Sequence, residues 1–402
     1  MPRTPARYNL LIVFGITLMV VMGVSSIMPV LPLIAKEMQV PQESVSLILT
    51  AFTLPGIFLA PVAGVLADRY GRKKVLIPAL LVFGLAGAAC SLADNLHTLI
   101  ALRFLQGMGA APLGVLYTTL IGDLYSGSDR IRIMGYTAGV LGMGTAAFPA
   151  LGGLLGELGW HCPFVLPALA LPLCYAVLRH LHLPEHHTSQ GFREYARATF
   201  GIISSTQAKS IFLVTLFTFC ILYGPMITFF PMLADSRFSM PPSAIGGLYA
   251  SSSLATALAS SQLGKLNAWF SERTLLCFGH ALYLVAMLLM PFIPEYWWLL
   301  LPVCTFGMAQ GLNFPNLTTL LTGLAPQEQR AAVMAINGMV LRLAQTIAPL
   351  AFTPLFWLGG FSGVYAGGAA LAVVMLCVTL FWMKPPATPL RQTARTDELS
   401  GL

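Results

Sequence analysis

The amino-acid sequence predicts an all-α membrane protein, with twelve transmembrane helices arranged as two pseudo-symmetric bundles of six. Three observations carry that expectation. Hydrophobic residues make up 56% of the 402 and only 9% are charged, which leaves too little polar surface to cover a water-soluble globule. The mean hydropathy is +0.77, because apolar runs of bilayer-spanning length, about 20 residues of helix over about 30 Å, follow one another along the chain. The second half of the sequence also repeats features of the first.

Taken in order, the spans fall near 8–34, 46–67, 75–93, 96–124, 133–158 and 163–183, then 211–233, 244–266, 275–293, 298–324, 331–357 and 361–383. The first run is too long for the apolar region of a cleavable signal peptide and has no small-x-small cleavage site after it. The single long polar connection, 184–210, divides the spans into six and six. This gives an N-terminal bundle over 1–183, a cytoplasmic linker over 184–210, a C-terminal bundle over 211–383 and a polar cytoplasmic tail over 384–402.

The bases set the orientation. Of the 22 Lys and Arg residues, eighteen fall in the termini and the turns on one side, against Lys36 and Arg237 on the other. The charge-rich side is expected in the cytoplasm, which places both termini there and the protein in the cell inner membrane. The net charge of +7 is spread over short turns rather than gathered on one soluble face, so nucleic acid is excluded as a partner and the lipid bilayer is expected. The seven cysteines are scattered through apolar runs without metal-ligand spacing or a paired framework, and no metal or cofactor is expected.

The repeat has an offset of 200 residues. Val140, Leu141 and Pro149 match Val340, Leu341 and Pro349, and Gly64-x-Leu66 matches Gly264-x-Leu266. At a slightly longer offset, "LQGMGAAP" in the fourth span matches "AQGLNFP" in the tenth. Parallel six-span repeats with a site between them are a transporter architecture.

Three stretches add up to a family. Gly64-x-Leu66-Ala67-Asp68-Arg69-x-Gly71-Arg72-Lys73-x-x-Leu76 resembles the signature between the second and third spans of the major facilitator superfamily, with every position filled. Leu99-x-x-x-Arg103-x-x-Gln106-Gly107-x-Gly109-Ala110-Ala111 resembles that superfamily's fourth-span signature. Gly135, Gly144, Pro149, Gly152 and Gly153 reproduce the spacing of its fifth-span antiporter signature, with Phe148 where the pattern has glycine before the proline. The resemblance covers nearly the whole chain and implies alternating access between two six-helix halves. It also implies that Asp68 docks at the start of the eleventh span, near "APQEQRAAV", when the cytoplasmic side is closed, and that Asp123 pairs with Arg72. Free N–H groups at a helix start favour a carboxylate there by roughly 0.3–1 kcal/mol. Gly64, Asp68, Arg69, Gly71, Arg72 and Asp123 are therefore a candidate latch between halves; the plainer reading, that the bases only set topology, suffices for Lys73 and Lys74.

Two arginines lie inside spans. Arg103 sits about seven residues, roughly 10 Å, inside the outer end of the fourth span, with Gln106 on nearly the same face. Arg342 sits about twelve residues into the eleventh, close to the membrane middle. A buried cation costs at least ~2.5 kcal/mol on insertion scales, so each is expected to face a cavity or a partner. For both, a packing role and a substrate or coupling role stand side by side. Tyr223, Gln310, Asn313, Asn316, Asn337 and Gln345 are further polar candidates for the cavity lining, and Phe219, Phe229 and Phe230 could add apolar contacts.

All fifteen acids fall at span ends, in loops or in tails, and none is in the first span. A mid-membrane acid is the usual proton carrier and attractor of cationic drugs. Two interior arginines without one favour an anionic or zwitterionic substrate. No ATP-binding motif, G-x-x-x-x-G-K-[ST], occurs, so energy must come from a gradient. No catalytic set of residues lies at membrane depth, which argues against an enzyme. The expected function is a monomeric secondary transporter moving a small organic molecule, with export of a drug-like compound or metabolite in exchange for protons implied by the fifth-span resemblance. Uniport or symport of an anionic or zwitterionic metabolite is the alternative within that class, and a membrane receptor or scaffold the alternative outside it.

Overall fold

The structure, a computed structural model, describes residues 4–181, 183, 204–324 and 330–383. Among these residues the regular structure is helical throughout. α1 (Thr4–Ser25) continues through a 3-10 turn at Met28–Val30 into Leu31–Glu37, because Pro29 and Pro32 lack the N–H groups that an unbroken helix would use. α2 (Ser46–Tyr70) and α3 (Arg72–Ala89) are parted by Gly71 alone, whose φ of 97° only glycine adopts without strain. α4 (Leu96–Leu124) starts on Asn95, whose side chain accepts the Thr98 N–H at 2.9 Å. α5 (Gly127–Gly156) follows, and then α6 (Ala170–His180), entered through the 3-10 segment Cys162–Leu169.

In the second half, α7 (Thr206–Ile221) starts on a Ser205 cap that accepts the Ala208 N–H. The connection expected over 184–210 lies outside the described residues as far as 203, and its last residues belong to this helix. The tail expected over 384–402 also lies outside them. α8 (Pro242–Trp269), α9 (Glu272–Leu289) and α10 (Leu300–Leu324) come next. α11 and α12 share the helical stretch Arg330–Phe381, broken at Gly359 and Gly360, where the dihedrals are not helical.

Nine segments among the described residues are long and apolar enough to cross a bilayer, and one of them, Val333–Phe381, holds both α11 and α12. α8 and α10 complete the twelve. Hydroxyls of α8 serve its contact with α10 rather than lipid: Thr256 donates to the Gly307 carbonyl at 2.9 Å and Ser260 to that of Gly311 at 3.0 Å.

α7 does not stop at Ile221. It widens into a π-helical turn, Leu222–Phe229, before resuming as Phe230–Phe238. Pro225 lies inside that turn and cannot donate to the preceding one. Side-chain hydroxyls also bond carbonyls of this turn: the Thr228 hydroxyl donates to Tyr223 O at 2.6 Å and the Tyr249 hydroxyl to Met226 O at 2.5 Å.

The packing repeats between halves. α2 and α3 lie on α4 as α8 and α9 lie on α10. A methyl on Gly107 of α4 would fall 2.1 Å from Phe52 O of α2, and one on Gly307 of α10 would fall 2.2 Å from Ser252 O of α8. Both members of each pair are separated by the 200-residue offset, so the sequence repeat marks equivalent helix crossings. The halves meet through α5 with α8 and through α2 with α11.

Candidate functional site

The contacts between halves gather at one end, where the chain carries Lys36, Glu43, Glu157, Asp235, Ser243 and Trp357. Lys36 Nζ pairs with Asp235 Oδ1 at 2.6 Å. Glu157, just past the end of α5, accepts both the backbone N–H of Ser243 at 3.2 Å and its hydroxyl at 2.6 Å, at the first turn of α8. Trp357 Nε1 donates to Glu43 at 3.2 Å. Backbones touch here too: a methyl on Gly153 would lie 2.4 Å from Pro242 O, and one on Gly246 would lie 2.4 Å from Pro149 O. Sequence reasoning found none of the polar pairs. It saw acids at span ends but had no means of matching ends across the halves.

Deeper, α2 and α11 are joined by threonines. Thr346 donates to the Thr53 hydroxyl at 3.0 Å, and the Thr50 hydroxyl donates to Thr346 O at 3.4 Å. One turn further from the closed end stands Arg342. Its guanidinium crosses to the other half: a methyl on Gly56 would lie 3.2 Å from Cδ, and one on Gly114 would lie 2.5 Å from Nη2. Gln345 accepts from Nη1 at 3.3 Å. Tyr117 of α4 and Tyr223 of α7 lie within electrostatic reach of the same cation. All three side chains are half-buried. A further turn along α11, Gly338 has no neighbour within 4 Å, and the same holds for Gly135, Gly139 and Gly142 of α5.

The end that carries Asp68 is arranged differently. Arg72 donates to Asp123 Oδ2 at 3.0 Å and also pairs with Asp68, so all three stay within the first half. Asp68 is 55% exposed, and the segment 325–329, where its expected partner lies, is outside the described residues. Arg69 lies over the Tyr70 ring. Gly64 has only Val115 nearby, at 3.8 Å. Lys73 is more than a topogenic charge: its Nζ donates to Leu178 O at 2.7 Å and Leu181 O at 3.4 Å, closing the C-terminus of α6.

Arg103 does not reach the space beside Arg342. It is 0% exposed, donates to Gly23 O at 2.8 Å and to Gln106 Oε1 at 2.7 Å, and lies 4.2 Å from the Phe52 ring centroid. It holds α1, α2 and α4 together. Several other polar candidates also sit inside helix packing. Asn313 donates to Thr218 at 2.8 Å, Asn316 to Leu312 O at 2.9 Å, and Gln310 accepts from Tyr283. Asn337 is buried on α11. Phe219 meets Phe314, Phe229 meets Phe356 and Phe230 meets Tyr249; Phe219, Phe229 and Phe230 are buried, so these rings build the second bundle.

The antiporter-like residues of α5 divide between two faces. A methyl on Gly152 would lie 1.8 Å from Ser26 O, and Gly144 faces Leu18, both on α1. Phe148 packs over Gly144 on that same α1 face, so it does not bulk the contact with α8; Pro149, Ala150 and Gly153 make that contact. Gly135 touches nothing within 4 Å.

Comparison with known proteins agrees with this architecture. The profile of the Major Facilitator Superfamily matches residues 13–349 and 211–401. The chain is 28% identical to the bacillibactin exporter of Bacillus subtilis over 395 residues, covering 93% of this chain and 96% of that protein. It is 27% identical to the class D tetracycline resistance protein of Salmonella ordonez, covering 92% and 96%. The quinolone resistance protein NorA of Staphylococcus aureus is 22% identical, with 92% and 94% covered. Among solved structures, the nucleoside transporter NupG superposes with a TM-score of 0.79 at 12% identity, covering 94% of this chain and 100% of that one. A bacterial homologue of the lysosomal transporter Spinster gives 0.76 at 16% identity, covering 96% and 100%. With twelve helices in two matching sets and a profile match across most of its length, the chain belongs to the Major Facilitator Superfamily and is a multi-pass membrane transporter, not an enzyme.

Proposed function

We propose that this transporter exports a small organic molecule, drug-like or a metabolite, in exchange for protons, by alternating access as a monomer in the cell inner membrane. The observation that carries the reading is the one-sided closure. Three polar links, the Gly153 and Gly246 backbone contacts and the threonine bonds of α2 and α11 all lie on one side of Arg342. On the other side, among the described residues, Asp68 pairs only within its own half. The distribution of bases assigns the Asp68 end to the cytoplasm, so this conformer is open inward, with both termini in the cytoplasm. Residues 1–183 and 211–383 are the two rocking units, 184–210 joins them, and 384–402 trails in the cytoplasm.

Export is supported by the relatives, whose names are those of an exporter and of resistance proteins, and by the α5 glycines at the closing contact. Proton exchange is tested in inside-out vesicles with an imposed pH gradient, using anionic, neutral and cationic fluorophores. Accumulation that collapses with the gradient is expected. Accumulation that ignores the gradient removes the antiport reading and favours uniport. Symport or uniport of an anionic or zwitterionic metabolite is the second reading; Arg342, without an ion-pair partner among the described residues, favours it.

A further inference from the structure

Arg342 is a cation at membrane depth without an ion-pair partner among the described residues, where the acids that form ion pairs are Asp68, Asp123, Asp129 and Asp235. Its one side-chain hydrogen bond, to Gln345, is long at 3.3 Å. Nε and Nη2 are unbonded, as are the hydroxyls of Tyr117 and Tyr223, yet none of these atoms is sealed from solvent. Arg103 shows the contrast: both of its Nη groups are bonded, its Nε alone lacks a partner, and the side chain is enclosed completely. An arginine that only held helices together would be bonded as Arg103 is.

We infer that Arg342, with Tyr117 and Tyr223, is the anion subsite of the transport pathway, holding a carboxylate or similar oxyanion of the substrate between the two halves. The inference rests on the transport reading above. The unbonded guanidinium edge offers N–H donors in the planar fork that fits a carboxylate, and the two phenols add donors from α4 and α7. An anion there supplies the counter-charge that a desolvated cation lacks. Gly56 and Gly114 leave the space the guanidinium occupies, since a side chain at either would press on it. Position gives the anion a mechanical role. Thr346, one turn on, belongs to the seal between α2 and α11, so a ligand on Arg342 lies directly beneath the contact that must part. Arg342 and Tyr223 come from the second half and Tyr117 from the first, so the bound anion bridges both.

The test uses the purified full chain in detergent, with fluorescence anisotropy of a dialkylaminocoumarin carboxylate, its neutral methyl ester and a cationic rhodamine. The carboxylate form is expected to bind at least tenfold more tightly than the ester or the cation. Arg342→Gln should remove that preference. Arg342→Lys should keep the preference at reduced affinity, and Tyr117→Phe or Tyr223→Phe should weaken the acid by about two- to fivefold without affecting the ester. Thermal melting of each variant separates loss of binding from loss of fold, and the lysine variant retains a charge if the glutamine variant is unstable. Equal binding of acid and ester by the unmodified chain overturns the proposal, as does undiminished acid preference in Arg342→Gln. Charge-selective binding in detergent with no movement of the probe into vesicles would leave the subsite standing and strike the transport reading alone.

Discussion

A guanidinium within a bilayer must be compensated where it stands, and the two interior arginines do this in opposite ways. Arg103, the shallower, is sealed against Gly23, Gln106 and Phe52. Arg342, the deeper, remains open. Depth along a helix, which the sequence gives, therefore says little about enclosure, which depends on the direction a residue faces around the helix. Arg103→Lys should lower stability by about 1–3 kcal/mol, because an ammonium cannot make both hydrogen bonds and lie flat on the Phe52 ring. Arg342→Lys should alter stability by less than about 0.5 kcal/mol, in the range of substitutions that disturb no packed network. Thermal melting in detergent compares the two, and equal losses would mean that Arg342 is a packing residue after all.

At the scale of elements, neighbouring glycines in α5 face different partners. Gly152 meets α1 within its own bundle, whereas Gly153 meets α8 of the other bundle. Gly152→Ala should thus cost about 1–3 kcal/mol in melting, the usual penalty of overpacking against backbone. Gly153→Ala should barely move the melt but should raise the labelling rate of Ser243→Cys by a soluble maleimide, as the α5–α8 contact loosens. The spans, the repeat and the spacing of these glycines were legible because apolar length and small-residue spacing are local properties. The faces were not, since one residue's shift turns a helix by about a quarter to a third of a turn. The π-helical turn of α7 was likewise hidden: Pro225 announces a disturbance, but nothing local announces that Thr228 and Tyr249 bond carbonyls of the turn. Thr228→Val, nearly isosteric, removes the hydroxyl's bond to Tyr223 O and should lower stability by about 0.5–1.5 kcal/mol, read as a downward shift in thermal melting.

For the whole molecule, one end displays the device that the sequence led us to expect at the other. Glu157 follows α5 and seats its carboxylate on the N–H of Ser243, at the start of α8 across the interface. Asp68 ends α2 and was expected to seat on the start of α11, the other helix pair through which the halves meet. The two pairs occupy opposite ends, so a rocking motion that releases one carboxylate would bring the other to its helix. In the present conformer Glu157 is seated and Asp68 is held by Arg72 instead. Removing the Asp68 charge should consequently leave this conformer intact and weaken only its alternative, by the roughly 0.3–1 kcal/mol that a helix start gives a carboxylate, or about two- to fivefold in population. The measurement is cross-linking in a cysteine-free background bearing Lys36→Cys and Asp235→Cys, whose parent side chains touch at 2.6 Å in the present conformer. Added Asp68→Asn should raise the cross-linking yield where the alternative conformer is substantially populated, while added Glu157→Gln should lower it. If Asp68→Asn lowers the yield instead, the acid is holding the present conformer through Arg72, and its assignment to the opposite one is wrong.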